Sequence, residues 1–327
     1  MKKILFSILA MAAMAACATD ETVVASKGEA IEFGNAFVDN SVRATDPTYS
    51  GETKELTAIN VYGAINDGVV IFDATPVTGS VGESVWTCDV TQYWIAGANY
   101  KFAAVADVAD LNEDIECRNG IPTAIFYDAS VPATDGSQRD LLYAYEKRDN
   151  VQPTYAPVNF SFRHLLAKVN VTFQNTTEGA ADDYNIDVRN ITITNPYKYA
   201  TCNITYNDNG TWTPAWLEEP ANAVAIDPNY KVEFGDILNV QNGQSATIAT
   251  EKLLIPTTQT LEVKFTVDIC NGNTVITTTD YEETIETDLV AGYSYNIVIK
   301  QSLGSKIQFT VIAAPTWADA ADDEIES

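Results

Sequence analysis

The sequence predicts an all-β protein. Residues 261–269 alternate apolar and polar side chains, which places five apolar side chains on one face of a strand. Thr, Val, Ile and Tyr recur throughout, and turn-forming residues follow every eight to twelve positions, as in β-sandwiches. Beyond the first 16 residues, no long segment has the 3.6-residue apolar period of a helix.

Strands are predicted along the whole chain, from apolar alternation or β-branched runs that turn residues bound. In the first half they lie at residues 29–38, 56–64, 69–72, 85–88, 100–105 and 141–145. In the second half they lie at residues 160–164, 169–173, 191–194, 201–206, 211–213, 261–269, 274–277, 293–299 and 307–311. Asn209-Gly210 and Asn271-Gly272-Asn273 each separate two strands, and Asn-Gly pairs favour hairpin turns.

The composition of the chain limits its function. Its 327 residues include 19 Lys and Arg against 45 Asp and Glu, a formal net charge of −26. Affinity for nucleic acid comes from basic side chains that neutralise phosphates, so this balance excludes a nucleic-acid partner. A hydrophobic fraction of 46% is that of a folded protein, and the length predicts two domains.

The N-terminus predicts export. Two lysines precede thirteen mostly apolar residues, 4–16, which is shorter than the ~20 residues of a helix that spans a bilayer. Ala15 and Ala16 precede Cys17, as in the lipobox of bacterial lipoproteins. We therefore predict that residues 1–16 are a signal peptide and that Cys17 becomes the lipidated N-terminus. The alternative is an ordinary signal peptide with a chance cysteine at its boundary.

Four further cysteines divide evenly between the two halves of the chain. Cys88 and Cys117 lie in the first half, and Cys202 and Cys270 in the second. An oxidising compartment permits disulfides, and four cysteines allow three pairings. Cys202 and Cys270 lie in strand-like alternation, so buried free thiols are an equal alternative.

No catalytic arrangement is evident in the sequence. His164 is the single histidine, and it shares a strand face with Phe160 and Phe162, which favours a half-buried structural side chain. Adjacent carboxylates can serve glycoside hydrolysis or bind calcium. With 45 acidic residues in the chain, however, such pairs arise by chance. We predict a protein that is not an enzyme and has no metal and no cofactor.

Five stretches, in order and over about 290 residues, resemble the fimbrillin family, the subunits of type V pili of Bacteroidales. The first is Ile31-Glu32-Phe33 followed by Val42-Arg43-Ala44-Thr45. The others are Val85-Trp86 with residues 93–104, residues 160–169, Leu254-Ile255-Pro256 with residues 261–269, and residues 291–295 with 307–311 and Trp317-Ala318-Asp319.

The resemblance implies two tandem β-sandwich domains of transthyretin-like, Greek-key topology. In the family, an Arg-specific protease removes the lipidated N-terminal segment, and Arg43-Ala44 is the matching bond. Residues 150–157 contain two prolines and little apolar content, which favours a domain junction. The implied division is a signal peptide at 1–16, a lipidated pro-segment at 17–43, an N-terminal β-sandwich at 44–157 and a C-terminal β-sandwich at 158–327.

Removal of the pro-segment suggests a mechanism of assembly. The predicted strand at 29–38 places Ile31, Phe33 and Phe37 on one face. Its excision would expose an apolar groove and unpaired edge hydrogen bonds, which a strand from a neighbouring subunit could fill. In the polymerising members of the family the C-terminal region supplies the donor strand, and the resemblance therefore makes Ile307, Phe309 and Val311, which alternate, the candidate donor. The tail after residue 317 is acidic and poorly patterned.

We therefore expect a structural subunit of a cell-surface pilus, with other pilus subunits as partners and the outer membrane as anchor before processing. Its place as stalk, anchor or tip subunit stays open. The alternative is a surface-anchored adhesin or glycan-binding lipoprotein that keeps its lipid and binds a host or bacterial surface ligand. Its candidate sugar-stacking residues are Trp212, Trp216, Tyr197 and Tyr199.

Overall fold

The structure, a computed structural model, describes residues 28–38, 45–47, 53–66, 68–80, 83–106, 115–131, 138–152, 156–178, 184–218, 227, 229–302 and 306–314. Every regular element in these ranges is a β-strand, which confirms the all-β class. The same ranges contain no helix with the length and apolarity that a membrane span requires.

The described residues contain 22 β-strands. The first eleven are β1 (Phe33–Val38), β2 (Thr45–Pro47), β3 (Thr53–Glu55), β4 (Ala58–Ile65), β5 (Val69–Thr78), β6 (Thr87–Cys88), β7 (Tyr100–Ala106), β8 (Ile115–Arg118), β9 (Ile121–Asp128), β10 (Leu142–Arg148) and β11 (Val158–His164). The remaining eleven are β12 (Ala167–Asn175), β13 (Tyr184–Ile193), β14 (Tyr199–Tyr206), β15 (Trp212–Glu218), β16 (Val232–Gln241), β17 (Ser245–Thr247), β18 (Lys252–Leu254), β19 (Thr258–Asn271), β20 (Thr274–Asp288), β21 (Ser294–Gln301) and β22 (Gln308–Ala314).

Seven strands form a curled sheet in the order β1-β11-β10-β7-β4-β5-β6. Its two edges approach each other, because Phe33 in β1 forms an isolated bridge with Trp86, next to β6. The concave face encloses an apolar core that includes Phe33, Phe72, Phe102 and Phe160. Curling therefore covers aromatic side chains that a flat sheet would leave to solvent.

The convex face of the curled sheet packs against a second sheet, of order β15-β14-β9-β8. Buried side chains from both sheets meet in one cluster, among them Tyr62, Tyr143, Ile125 and Cys202. Leu253 and Ile255 join the same cluster. This cluster therefore connects the first half of the chain to the second.

Two further sheets pack face to face in the second half of the chain. One has the order β17-β12-β21-β22, with β18 also paired to β12, and the other has the order β16-β13-β19-β20. Alternating apolar side chains from both sheets form a single core. The predicted face is confirmed for Leu261, Val263, Phe265 and Val267, which are all buried there, whereas the fifth residue, Ile269, is half-buried beside a register shift.

Both predicted hairpins are confirmed. β19 and β20 are antiparallel across Gly272, which has φ +56°, and β14 and β15 are antiparallel across the turn at Gly210, which has φ +84°. An L-residue side chain is disfavoured at these φ values, which explains the glycine at each turn.

Sheet pairing crosses the proposed domain junction. β11 begins at Val158 and pairs with β10 and β1, and β14 pairs with β9. Two sheets thus contain strands from both sides of residue 157. The division of the chain at 157 and the transthyretin-like topology stay predictions.

Seven strands are absent from the sequence prediction, namely β2, β3, β8, β9, β16, β17 and β18, and the two longest of them are β9 and β16. β9 contains Pro122 and has buried residues at adjacent positions, so it lacks alternation. β16 contains Gly235 at φ +99° and shifts its register against β13, so its apolar residues are irregularly spaced. Bulges and buried pairs of this kind remove the period-two signal on which strand prediction depends.

Candidate functional site: the groove around the N-terminal strand

The N-terminal segment, residues 28–38, is held along one edge by β11. The two run parallel, with Phe33 opposite Val158 and Ala36 opposite Phe160. The Val158 N–H donates to the Glu32 carbonyl at 2.8 Å. Parallel pairing of a segment with a strand some 120 residues further along the chain requires a long crossover, which local sequence does not specify.

The other edge of the N-terminal segment is held by residues 86–94. The Trp86 N–H donates to the Phe33 carbonyl at 2.8 Å, and the Trp94 N–H donates to the Glu29 carbonyl at 2.9 Å. In the opposite direction, the Ile31 N–H donates to the Gln92 carbonyl at 2.8 Å. The segment is therefore an inserted strand with backbone partners on both sides.

The side chains of the segment complete the core of the curled sheet. Phe33 has no exposed surface. Its ring centroid lies 5.1 Å from that of Phe72 and 6.0 Å from that of Phe160. Ile31 is buried as well. Full burial of a large apolar side chain contributes about 1.5–3 kcal/mol, so these contacts hold the segment strongly.

The predicted apolar face is confirmed for Ile31 and Phe33 but is interrupted after them. The register against β11 shifts between Phe33 and Ala36, and Ala36 is fully buried. The bulge changes the parity of the strand, so simple alternation does not describe its C-terminal part. The side chain of Phe37 lies outside the described residues.

Two glycines let the segment approach its neighbours closely. A Cβ atom at residue 28 would collide with the carbonyl oxygen of Trp94, and one at Gly34 would collide with the Asn159 side chain. Neither glycine needs a left-handed backbone. Close backbone approach is the physical reason for glycine at both positions.

The predicted modification sites are not in the described part of the chain. Cys17, Arg43 and Ala44 all lie outside it. In sequence, the Arg43-Ala44 bond falls between the end of β1 at Val38 and the start of β2 at Thr45. Lipidation at Cys17 and cleavage after Arg43 stay predictions.

The candidate donor strand is paired within its own sheet. Ile307, Phe309 and Val311 lie in or beside β22, which pairs antiparallel with β21 at the end of the sheet order. All three side chains are half-buried against the core, and the Phe309 ring lies 5.8 Å from that of Phe265. Donation by β22 stays a prediction, and it would require β22 to leave β21.

The four cysteines outside the signal region are free thiols, one of the two states that the sequence left open. Cys202 is buried, and burial raises its pKa to about 12. Cys117 is an exposed residue, but its thiol is partly buried, and this burial raises the thiol pKa to about 11. Cys88 is half-buried and Cys270 is buried. High pKa values keep these thiols protonated, and a protonated thiol reacts slowly.

His164 is a core residue. Its side chain is buried on the same strand face as Phe160 and Phe162, as predicted, although burial is complete rather than partial. Nδ1 lies 2.5 Å from a carboxylate oxygen of the buried Asp140. This pair joins the end of β11 to the residues before β10.

The aromatic residues proposed to stack on sugar are buried or half-buried. Trp212 is buried, its ring lies 4.8 Å from that of Tyr143, and the Arg163 guanidinium lies 3.7 Å above it. The Trp216 indole N–H donates to the Leu165 carbonyl at 2.8 Å. Tyr197 is also buried and Tyr199 is half-buried. These residues do not form an exposed sugar-stacking platform.

Comparison with known proteins gives the family. The model of a family described as fimbrillin-like matches residues 42–313. The chain belongs to the fimbrillin-like family. As a member, it is related to the proteins that build fimbriae. A search of curated proteins finds no match.

Solved structures show the same fold in two Bacteroidales proteins. A fimbrial protein from Bacteroides vulgatus is 16% identical to this fimbrillin-like chain, with a TM-score of 0.59. The match covers 86% of this chain and 98% of the Bacteroides vulgatus protein. A protein from Parabacteroides distasonis, provisionally called a cell adhesion protein, is 10% identical. It covers 88% of the chain over 98% of its own length, with a TM-score of 0.54.

Residues 86–94 are the part of the site that sequence reasoning missed. The sequence predicts a strand at 85–88 and includes 93–104 in the family resemblance, but it does not relate either to the N-terminal segment. The signal was present in two tryptophans, Trp86 and Trp94, one at each end of this loop. Large buried aromatics in such a loop indicate that it covers a core.

Proposed function

We propose that this fimbrillin-like protein is a structural subunit of a cell-surface pilus. It is exported as an outer-membrane lipoprotein through Cys17, processed after Arg43, and assembled by strand exchange. The observation that carries the proposal is the N-terminal segment, which is hydrogen-bonded on both edges and yet precedes the Arg43-Ala44 bond in sequence. A single cut after Arg43 separates this inserted strand from the rest of the chain.

Loss of the N-terminal segment would create a specific acceptor. The N–H groups of Trp86, Trp94 and Val158 would lose their carbonyl partners. A cavity would remain where the Phe33 ring lies between Phe72 and Phe160. Unpaired backbone groups and an apolar cavity both cost free energy. An extended apolar segment from another subunit relieves both costs.

Strand exchange of this kind leads to a filament. The groove belongs to the curled sheet, and the candidate donor, Ile307 to Val311, belongs to a sheet of the other half of the chain. Donor and acceptor surfaces therefore differ, so the contact is head-to-tail, and a contact of this kind builds an open filament when its rotation does not close a ring. Addition of a strand to an exposed edge supplies backbone hydrogen bonds, and side-chain pockets supply specificity.

The proposal makes a prediction about Arg43. Wild-type fimbriae sheared from cells have a subunit that begins at Ala44, and N-terminal sequencing detects it. The substitution Arg43→Ala leaves the N-terminal segment in place, so electron microscopy shows no fimbriae and the subunit keeps its lipid. The matched control is Arg118→Ala, which removes an exposed arginine from β8 and leaves fimbriae normal. Normal fimbriae from the Arg43→Ala strain would refute the processing step.

A further inference from the structure

The outer face of the sheet β16-β13-β19-β20 contains a polar cavity of about 570 Å³. Its size is in the range of ligand pockets, roughly 300–1,000 Å³. Side chains from all four strands and from the β19–β20 turn line it. It lies in a different sheet from the N-terminal segment, so its role is separate from strand exchange.

One row of side chains crosses the base of the cavity. Gln241, Asn185, Cys270 and Val275 lie directly opposite one another on the four adjacent strands. Asn185 is only 5% exposed. In the described part of the chain, no group hydrogen-bonds its side-chain amide, which borders the cavity. The amide therefore faces the cavity, where water pairs with it, and a ligand that displaces this water must supply an equivalent hydrogen bond.

The next row places two carboxylates across from each other. Asp187 in β13 is directly opposite Asp268 in β19, an arrangement that is destabilising for like charges. Arg189 connects them, with Nη2 2.9 Å from Asp187 Oδ2 and Nε 3.1 Å from Asp268 Oδ2. The hydrogen bond that Arg189 donates to the Asp187 carboxylate raises the pKa of Arg189, so the guanidinium stays charged.

Further bonds fix both carboxylates. The Asn239 N–H donates to Asp187 Oδ1 at 2.7 Å, and the Thr278 hydroxyl donates to Asp268 Oδ1 at 2.6 Å. Asn239 has φ +61°, and the register of β13 against β16 shifts on both sides of Val188. Bulges bend a sheet and redirect side chains, and they are frequent beside binding sites.

The chemistry of the lining selects a class of ligand. Arg189 already occupies the carboxylates that a cation would need. An anion would meet two carboxylates and one guanidinium in a chain of net charge −26. Amide groups pair well with hydroxyls, and the exposed Leu238 and Val275 offer apolar contact for C–H groups. We infer that this cavity binds a neutral saccharide through the Asn185 amide.

Saturation-transfer NMR on the unprocessed protein tests the inference with lactose, N-acetyllactosamine, cellobiose and mannobiose as probes, and sialyllactose as the charged comparison. At least one neutral disaccharide receives magnetisation, and sialyllactose receives less.

Asn185→Leu keeps the side-chain size but removes the amide, so it weakens binding about tenfold, the factor for one hydrogen bond of ~1.4 kcal/mol. The matched control Asn203→Leu, on the half-buried face of β14, binds normally.

A second pair of variants covers the case in which Asn185→Leu fails to fold. Val275 borders the cavity at the exposed end of β20, and its neighbour Ile276 is exposed but does not line it. Val275→Trp blocks the cavity and abolishes binding, whereas Ile276→Trp leaves it unchanged. The inference is overturned if no neutral disaccharide gives a signal, if Val275→Trp binds as well as Ile276→Trp, or if sialyllactose binds best.

Discussion

The Phe33 ring lies among aromatic side chains of the curled sheet and contacts rings from β5, β7 and β11. Its backbone carbonyl also accepts the hydrogen bond from Trp86 that brings the two edges of the sheet together. One residue therefore contributes both to the core and to closure of the sheet. It is also the residue whose loss defines the proposed groove.

Replacing Phe33 tests this view at the scale of one residue. In the unprocessed protein, Phe33→Ala lowers the free energy of unfolding by about 3–5 kcal/mol, because it leaves a cavity in a packed core. Urea denaturation monitored by tryptophan fluorescence measures the change. Phe126→Ala is the matched control, since Phe126 is 38% exposed, and its effect stays within about 1 kcal/mol. A loss below ~1 kcal/mol for Phe33→Ala would contradict the role assigned to this ring.

At the scale of elements, the N-terminal segment and β22 differ in the number of their backbone partners. The segment lies between two backbone partners, whereas β22 ends its sheet order and pairs with β21 alone. β22 also lacks charged residues along its length, although charges are a common protection of edge strands. An uncharged edge strand with half-buried apolar residues has the properties that a donor strand needs.

A synthetic peptide of residues 306–314 tests the donor assignment. It binds the processed subunit that starts at Ala44, because the groove is open, and it does not bind the unprocessed protein, in which β1 fills the groove. Fluorescence anisotropy of a labelled peptide measures both affinities. A peptide with Phe309→Glu binds at least tenfold more weakly, because a charge would enter the apolar groove. Equal binding to processed and unprocessed protein would show that the peptide uses another surface.

At the scale of the whole molecule, the surface is strongly anionic. Removal of residues 1–43 takes away four of the 19 basic residues and five of the 45 acidic ones, which leaves 15 − 40 = −25 for the processed subunit. Subunits with this charge repel one another at low ionic strength. A filament of such subunits therefore forms against an electrostatic cost that salt reduces.

Assembly of the purified processed subunit should consequently accelerate with salt. Raising NaCl from about 0.01 M to 0.15 M shortens the Debye length from ~30 Å to ~8 Å, which screens the repulsion between approaching subunits. Light scattering at a fixed protein concentration follows the rate. A rate that falls with salt would indicate that complementary charges, rather than apolar strand exchange, drive the contact.

The sequence alone determined the properties that depend on local pattern. Apolar alternation predicted the all-β class and the buried face of Leu261 to Val267, and Asn-Gly pairs predicted both hairpins. The parity of Ile31 and Phe33 followed from the same rule. These predictions succeed because side-chain direction in a strand repeats every two residues and tight turns need particular residues.

Only the tertiary structure decided which distant strands are neighbours. It brings residues 86–94 and Val158 to opposite edges of the N-terminal segment, and it places β14 beside β9. It also places Asn185, Asp187 and Arg189 in one cavity with Cys270 and Val275. Strand partners that lie far apart in sequence are selected by the packing of whole sheets, and local alternation contains no information about that choice.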